Sequence, residues 1–418
     1  MSDLSNPSAK SSSALQYASF RYYSAARFFM TLAVQMQSVA IGWQVFEATG
    51  DPMDLGLIGL AQFLPFVVLT LPAGQIADRF DRKWILTLCC CVETLCALLF
   101  LAWSLTPGIG VWPVFAVLVL FGSVRAFSMP TSQAITPNLV PLEAFPSAVA
   151  FNSSLGHIAT IAGPALGGLL YILGASFVYS VISGIFAVSV ALMLRVTVPE
   201  RLRVTRPAAT WHDLLEGVRF VRSRPVLLGA ISLDLFAVLF GGAVALLPAF
   251  ASEILRTGPQ GLGILRATPA TGAAFVAILL VAHPITRNVG RWLFCGVALF
   301  GVSILVFGFS QSFFVSLLAL FVMGASDMVS VYIRHTLMQL ETPDEIRGRV
   351  AAVSAVFIGA SNELGEFESG VTAAWWGIVP AVLVGGTVTL SIAVLWARLF
   401  PPLWHMDEFA VPSAKDTT

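Results

Sequence analysis

Apolar residues run in long, nearly unbroken blocks, separated by short stretches of Gly, Pro and charged residues. A helix rises 1.5 Å per residue, so about 20 such residues cross a hydrocarbon core roughly 30 Å thick. The pattern predicts twelve spans, at 24–47, 54–76, 84–105, 111–135, 147–171, 174–195, 226–250, 261–283, 290–310, 313–339, 349–371 and 376–399. Alternation with period two over about ten residues is missing, which argues against a β-barrel. Composition agrees: 57% of the 418 residues are apolar and 11% charged, against about a quarter charged in soluble domains. The fold class expected is an all-α membrane protein.

Charge sets the orientation. Of 23 Lys and Arg residues, nineteen fall at one set of span ends and loops, while Arg256 stands alone on the opposite side. Positive charge accumulates on the cytoplasmic side, so both termini are expected there. Residues 1–23 and 400–418 read as cytoplasmic tails, and 196–225 as a cytoplasmic linker between six-helix bundles at 24–195 and 226–399. Within the linker, Trp211, Leu214, Leu215, Val218, Phe220 and Val221 alternate with polar residues, as in a helix lying on the membrane surface. The 23 cations balance 23 Asp and Glu, and nothing suggests nucleic acid. Cys89, Cys90, Cys91 and Cys96 share one span, where adjacent helical residues diverge by about 100° and cannot close on one metal.

The halves look like copies. At an offset of 202 Gly122 meets Gly324, Gly163 meets Gly365, Gly168 meets Gly370, and Arg125 meets Asp327. At 208 Thr49-Gly50 meets Thr257-Gly258 and Arg79 meets Arg287. A parallel repeat places a binding site between the halves and alternates its access by rocking.

Gly74-Gln-Ile-Ala-Asp78-Arg79-Phe-Asp81-Arg82-Lys83 resembles the signature loop of the major facilitator superfamily, with Asp81 at its usual glycine. Gly163-Pro164-Ala-Leu-Gly167-Gly168 resembles part of the motif of its antiporter branch. The same loop and Leu337–Arg349 are similar to the subgroup of enterobactin and other siderophore exporters, which also holds drug-efflux members. The resemblance implies the twelve-helix major facilitator fold and export. Physically, Gly74 and Asp78 share a helix face, and Asp78 there can accept from a neighbouring helix start, latching the cytoplasmic side. Pro164 and its glycines thin and kink span five.

Ionisable groups inside a bilayer are costly and become functional candidates. Arg125, Asp234 and Asp327 are expected in the cytoplasmic half and, by the resemblance, on cavity-lining spans. Asp327, with Asp234, is the expected proton carrier, and Arg125 the attractor of an anionic substrate group. Gln35 and Gln37 give span one a polar patch for substrate. Arg266 is expected to pair with Glu363 or Glu366 in a separate outer layer, forming a gate or a brace. Arg334 is expected to snorkel to the surface, and Glu93 to hold a structural or lipid-edge place. No GxxxxGK[ST] loop or HExxH is present, so neither ATP drive nor an enzyme is expected, and no cofactor or metal. The function expected is a monomeric, multi-pass cell-membrane antiporter (inner membrane in a Gram-negative source) exchanging protons for a small organic molecule, with siderophores as candidate cargo. A multidrug pump, a lipid flippase and a transporter-derived sensor are the alternatives.

Overall fold

A computed structural model describes residues 13–106, 108–198, 211–343 and 346–409. About half of each expected tail and the middle of the linker, with Arg201, Arg203 and Arg206, lie outside them. The first half is α1 (Ala18–Thr49), α2 (Pro52–Arg79), α3 (Arg82–Ser104), α4 (Trp112–Ile135), α5 (Phe145–Leu170) and α6 (Ala175–Leu194). A short helix, α7 (Trp211–Ser223), precedes α8 (Pro225–Phe240), α9 (Leu247–Ala249), α10 (Gly258–Ala282) and α11 (Val289–Phe309). The chain continues through α12 (Phe313–Glu341), α13 (Arg347–Trp376), α14 (Ile378–Leu399) and α15 (Pro401–Trp404). No strand occurs among the described residues.

Local chemistry fixes the helix ends. Asp51 caps α2, accepting from Met53 N at 2.8 Å with Pro52 in the first turn, and Asp81 caps α3 through Lys83 N at 2.9 Å. Gly50, at φ 64°, closes α1 with its N–H on Phe46 O at 2.8 Å, a turn that an L side chain strains.

Among the described residues ten helical stretches are long and apolar enough to cross a membrane. Two of the twelve expected spans, α1 and α13, fall outside that set. Their polar residues explain it: Gln35, Gln37 and Gln44 in α1, and Asn362, Glu363, Glu366 and Glu368 in α13. The seventh span, Pro225–Ile254, is not one regular helix. It breaks after Phe240 at Gly241-Gly242, re-forms as a 3-10 turn and α9, and ends in a wide π-type turn over Phe250–Ile254. Two glycines raise the backbone freedom that a helix must give up, and Pro248 removes a donor just beyond.

Helix neighbours repeat between the halves. α2 packs on α4 as α10 does on α12; α1 on α5 as α8 on α13; α3 on α6 as α11 on α14. Across the halves α5 meets α10 and α13 meets α2. Glycines mark the equivalence: Gly122 abuts the backbone of Gln62, and Gly324 that of Pro269. Gly168 lies against Pro259 and Gly263, and its counterpart Gly370 against Pro52 and Gly56. Gly174 (φ 99°) turns the chain into α6, and Gly377 (φ 90°) turns it into α14.

These cross-half contacts fall at the end of the bundle opposite the basic loops. Towards the basic end, a Cβ added to Gly74 or Gly348 would meet nothing within 4 Å. The glycine contacts between the halves thus close the bundle at the far end.

Candidate functional site: a charged cavity between the halves

Arg125 and Glu363 form the link across the middle. Arg125 lies thirteen residues from the far end of α4 at Trp112, and Glu363 thirteen from the far end of α13 at Trp376. At 1.5 Å per residue each is about 20 Å from that end. Arg125 Nη1 donates to Glu363 Oε1 at 2.9 Å, with side chains 39% and 16% exposed. The expected separation into two charge layers is therefore corrected: α13 runs to Trp376, beyond the expected 371, which lowers Glu363 to the level of Arg125. Glu363 does not pair with Arg266.

Arg266 instead shares a small space with Glu366, Gln37, Ser38 and Gln62. Its volume is about 50 Å³, room for a few waters. Gln37 is buried there, its Oε1 without a hydrogen-bond partner. Glu366 also reaches a second cavity, of about 230 Å³, lined by Asp327, Asn362, Met323, Gly324 and the broken stretch of the seventh span at Gly241 and Gly242. Asp327 and Glu366 thus face one space from opposing helices of the second half. Carboxyls at membrane depth that line such a space are candidates for holding a proton.

Sequence reasoning missed the unwound seventh span as a wall of this cavity. The Gly241-Gly242 pair was the available signal. Gly242 fits against Gly365 O and Ser369 Oγ of α13, where a Cβ has no room. Irregular backbone at membrane depth is tolerated where it lines such a space.

Asp234 is placed elsewhere. It pairs with Arg334 of α12, both side chains buried at 7% and 5% exposure. The snorkelling expected of Arg334 is corrected: an arginine facing a buried aspartate is held inside by that charge. Gln35 sits at the α1–α5 contact under Gly163. Gly167 rests on the Met36 backbone, and the Pro164 carbonyl meets Gly263. The Gly163–Gly168 motif therefore brings α5 close to α1 and α10 at once.

In the first turn of α3, Arg82 Nη1 donates to Ala134 O at 3.0 Å and Asn138 Oδ1 at 2.8 Å. Lys83 Nζ donates to Leu194 O at 3.0 Å. Both cations cap the carbonyl ends of α4 and α6 within their own half. Arg79 is exposed, Gly74 has no close neighbour, and the Asp78 side chain lies outside the described residues.

A family model described as transmembrane secretion effector matches residues 9–416. The chain belongs to this family, a branch of the major facilitator superfamily. The chain is 24% identical over 364 residues to macrolide efflux protein A of Streptococcus pyogenes, covering 85% of this chain and 90% of that protein. It is 25% identical over 405 residues to the enterobactin exporter EntS of Citrobacter koseri, covering 92% and 94%. Its fold matches the crystal structure of a bacterial homologue of the human lysosomal transporter Spinster, in an inward-facing, unoccupied conformation. That match has a TM-score of 0.73 at 12% identity, covering 94% of this chain and 98% of the other. The chain is a multi-pass membrane transporter of this family.

Proposed function

We propose that this transporter is a proton-coupled antiporter of twelve transmembrane helices that exports a small organic molecule by alternating access. The shared exposure of Asp327 and Glu366 to one cavity between helices carries the reading. α1 and α13 complete the twelve spans, their polar faces turned to the interior. Residues 24–195 and 226–399 act as the two moving halves, joined by the 196–225 linker. The basic end is cytoplasmic, by the distribution of its cations. The conformation is then sealed outside and open to the cytoplasm, ready to load cargo.

The proton binds at the Asp327–Glu366 pair, and Asp234 braces α8 to α12 through Arg334. A proton moving inward gains about 2.3 kcal/mol per 100 mV of membrane potential, which drives the halves through a cycle that releases cargo outside. Because Glu363 already occupies Arg125, the charge facing the open space is that of the carboxylates. An organic cation bearing an amine suits this cavity. The name of the macrolide efflux relative agrees with that choice. The second reading, a siderophore, follows the name of the enterobactin exporter and requires Arg125 to leave Glu363 for an anionic group.

The test is reconstitution in liposomes with a pH-sensitive dye inside and an imposed proton gradient. A macrolide amine such as erythromycin, added to wild type, should release protons in step with its own movement, and Asp327→Asn should abolish that coupling. Coupling to a catecholate siderophore alone would favour the second reading. Full coupling in Asp327→Asn would overturn the proton site.

A further inference from the structure

Glu93 is the buried carboxyl that the proposed cycle leaves unused. It is 2% exposed, and its Oε2 has no hydrogen-bond partner. It lies on the face of α3 made by Cys89, Cys90, Cys96, Ala97 and Phe100, which packs on α4 and α6. Cys89 Sγ is 3.9 Å from Val124 O, so this face meets the turn of α4 that carries Arg125. The guanidinium of Arg125 is the charge acting on Glu93; the three cysteines are the other titratable groups around it. α6 carries no charged residue, and its Tyr179 stacks on Phe100. From α1, Met30 reaches Cys90. Glu93 therefore sits inside the first half and not at the lipid edge. An acid so enclosed, with a bare oxygen, is accommodated in its neutral form.

We propose that Glu93 is a second proton-binding carboxyl, the alternate partner that takes Arg125 when Glu363 withdraws with the other half. The proposal rests on the reading of the Arg125–Glu363 bridge as one that opens during transport. Rocking separates α4 from α13, and a lone guanidinium in the interior is costly. Glu93 meets it from the same half by releasing its proton as the halves move, while the freed Glu363 takes one up. Arg125 keeps one ionised partner throughout, and the other carboxyl holds the proton.

The test needs neither cargo nor gradient, so its failure leaves the export reading standing. Infrared spectra of the full-length protein in liposomes should show a carboxylic-acid C=O band that Glu93→Gln removes. Glu363→Gln should abolish the same band, because Arg125 turns to Glu93 and ionises it. Adding Arg125→Gln to that variant should restore it. A Glu93 band unchanged in Glu363→Gln, or no acid band sensitive to Glu93→Gln, would overturn the proposal. If Glu363→Gln does not fold, parting the far end with Gly168→Ala must weaken the band; constancy there counts equally against it.

Discussion

The far-end seal rests on glycines, and Gly168→Ala isolates its contribution. In the structure described, an alanine Cβ at 168 would lie 2.7 Å from Gly263 Cα, 2.9 Å from Gly263 N and against the Pro259 carbonyl. All three are backbone atoms of the other half, so no side chain can swing aside. Overpacking of this kind costs about 1–3 kcal/mol, and it is paid only where α5 and α10 touch. A far-end-open conformer escapes it, so the equilibrium between the two should shift by about 5- to 150-fold. Gly370→Ala should act alike, since its Cβ would meet Gly56 N at 2.7 Å and Pro52 O at 3.0 Å. The assay is a pulsed electron-spin distance measurement between labels at Ile109→Cys and Gln311→Cys, in a background without Cys91 and Cys295. Both labelled sites are exposed in far-end loops of opposite halves. Wild type should give mainly the short distance, and each glycine variant a substantial long-distance population. An unchanged distribution in folded Gly168→Ala and Gly370→Ala would refute the steric reasoning, because it would show the seal yielding without cost.

Three further outcomes follow from the charges. Asp234→Asn or Arg334→Met alone should lower the thermal stability of purified protein sharply, by about 3–5 kcal/mol, since each strands a buried charge. Asp234→Leu combined with Arg334→Met should recover much of that loss, and strict additivity of the singles would contradict their pairing. Reversing Arg125 to Glu should abolish coupled transport, and Glu363→Arg in the same chain should restore some of it; absence of any rescue would argue that the 2.9 Å contact is incidental to the cycle. Glu216→Gln, which removes the 2.8 Å link from α7 to Arg349, should cost no more than about 1 kcal/mol, because both partners are more than a third exposed. A larger loss in unfolding measurements would mean that the pair is shielded from water.

Much of this architecture is visible in the chain because membrane spans announce themselves by length and apolarity, whatever their neighbours. The repeat was legible for the same reason: Gly122, Gly168, Gly324 and Gly370 are demanded by backbone approach, which tolerates little substitution. The site was harder. Depth counted from hydropathy put Arg125 and Glu363 in different layers, because the apolar run Val371–Trp376 leads straight on to the next span and offers no break to show that α13 continues five residues beyond 371. The break in the seventh span was hidden too, since Gly241-Gly242 also suits a closely packed helix, and only its fit against Gly365 distinguishes the two. Pairing is the least legible property. Asp234 and Arg334 are a hundred residues apart, and hydropathy gives each the same penalty whether or not it has a partner. Asp327 differs from them in what stands opposite, a cavity whose charged lining is Asp327 itself and Glu366. The charges meeting a cation stay fixed in this conformation, whereas the carboxylates facing open space are left to answer to protons and cargo. That distinction makes Asp327, and not Asp234, the residue whose neutral amide should uncouple transport.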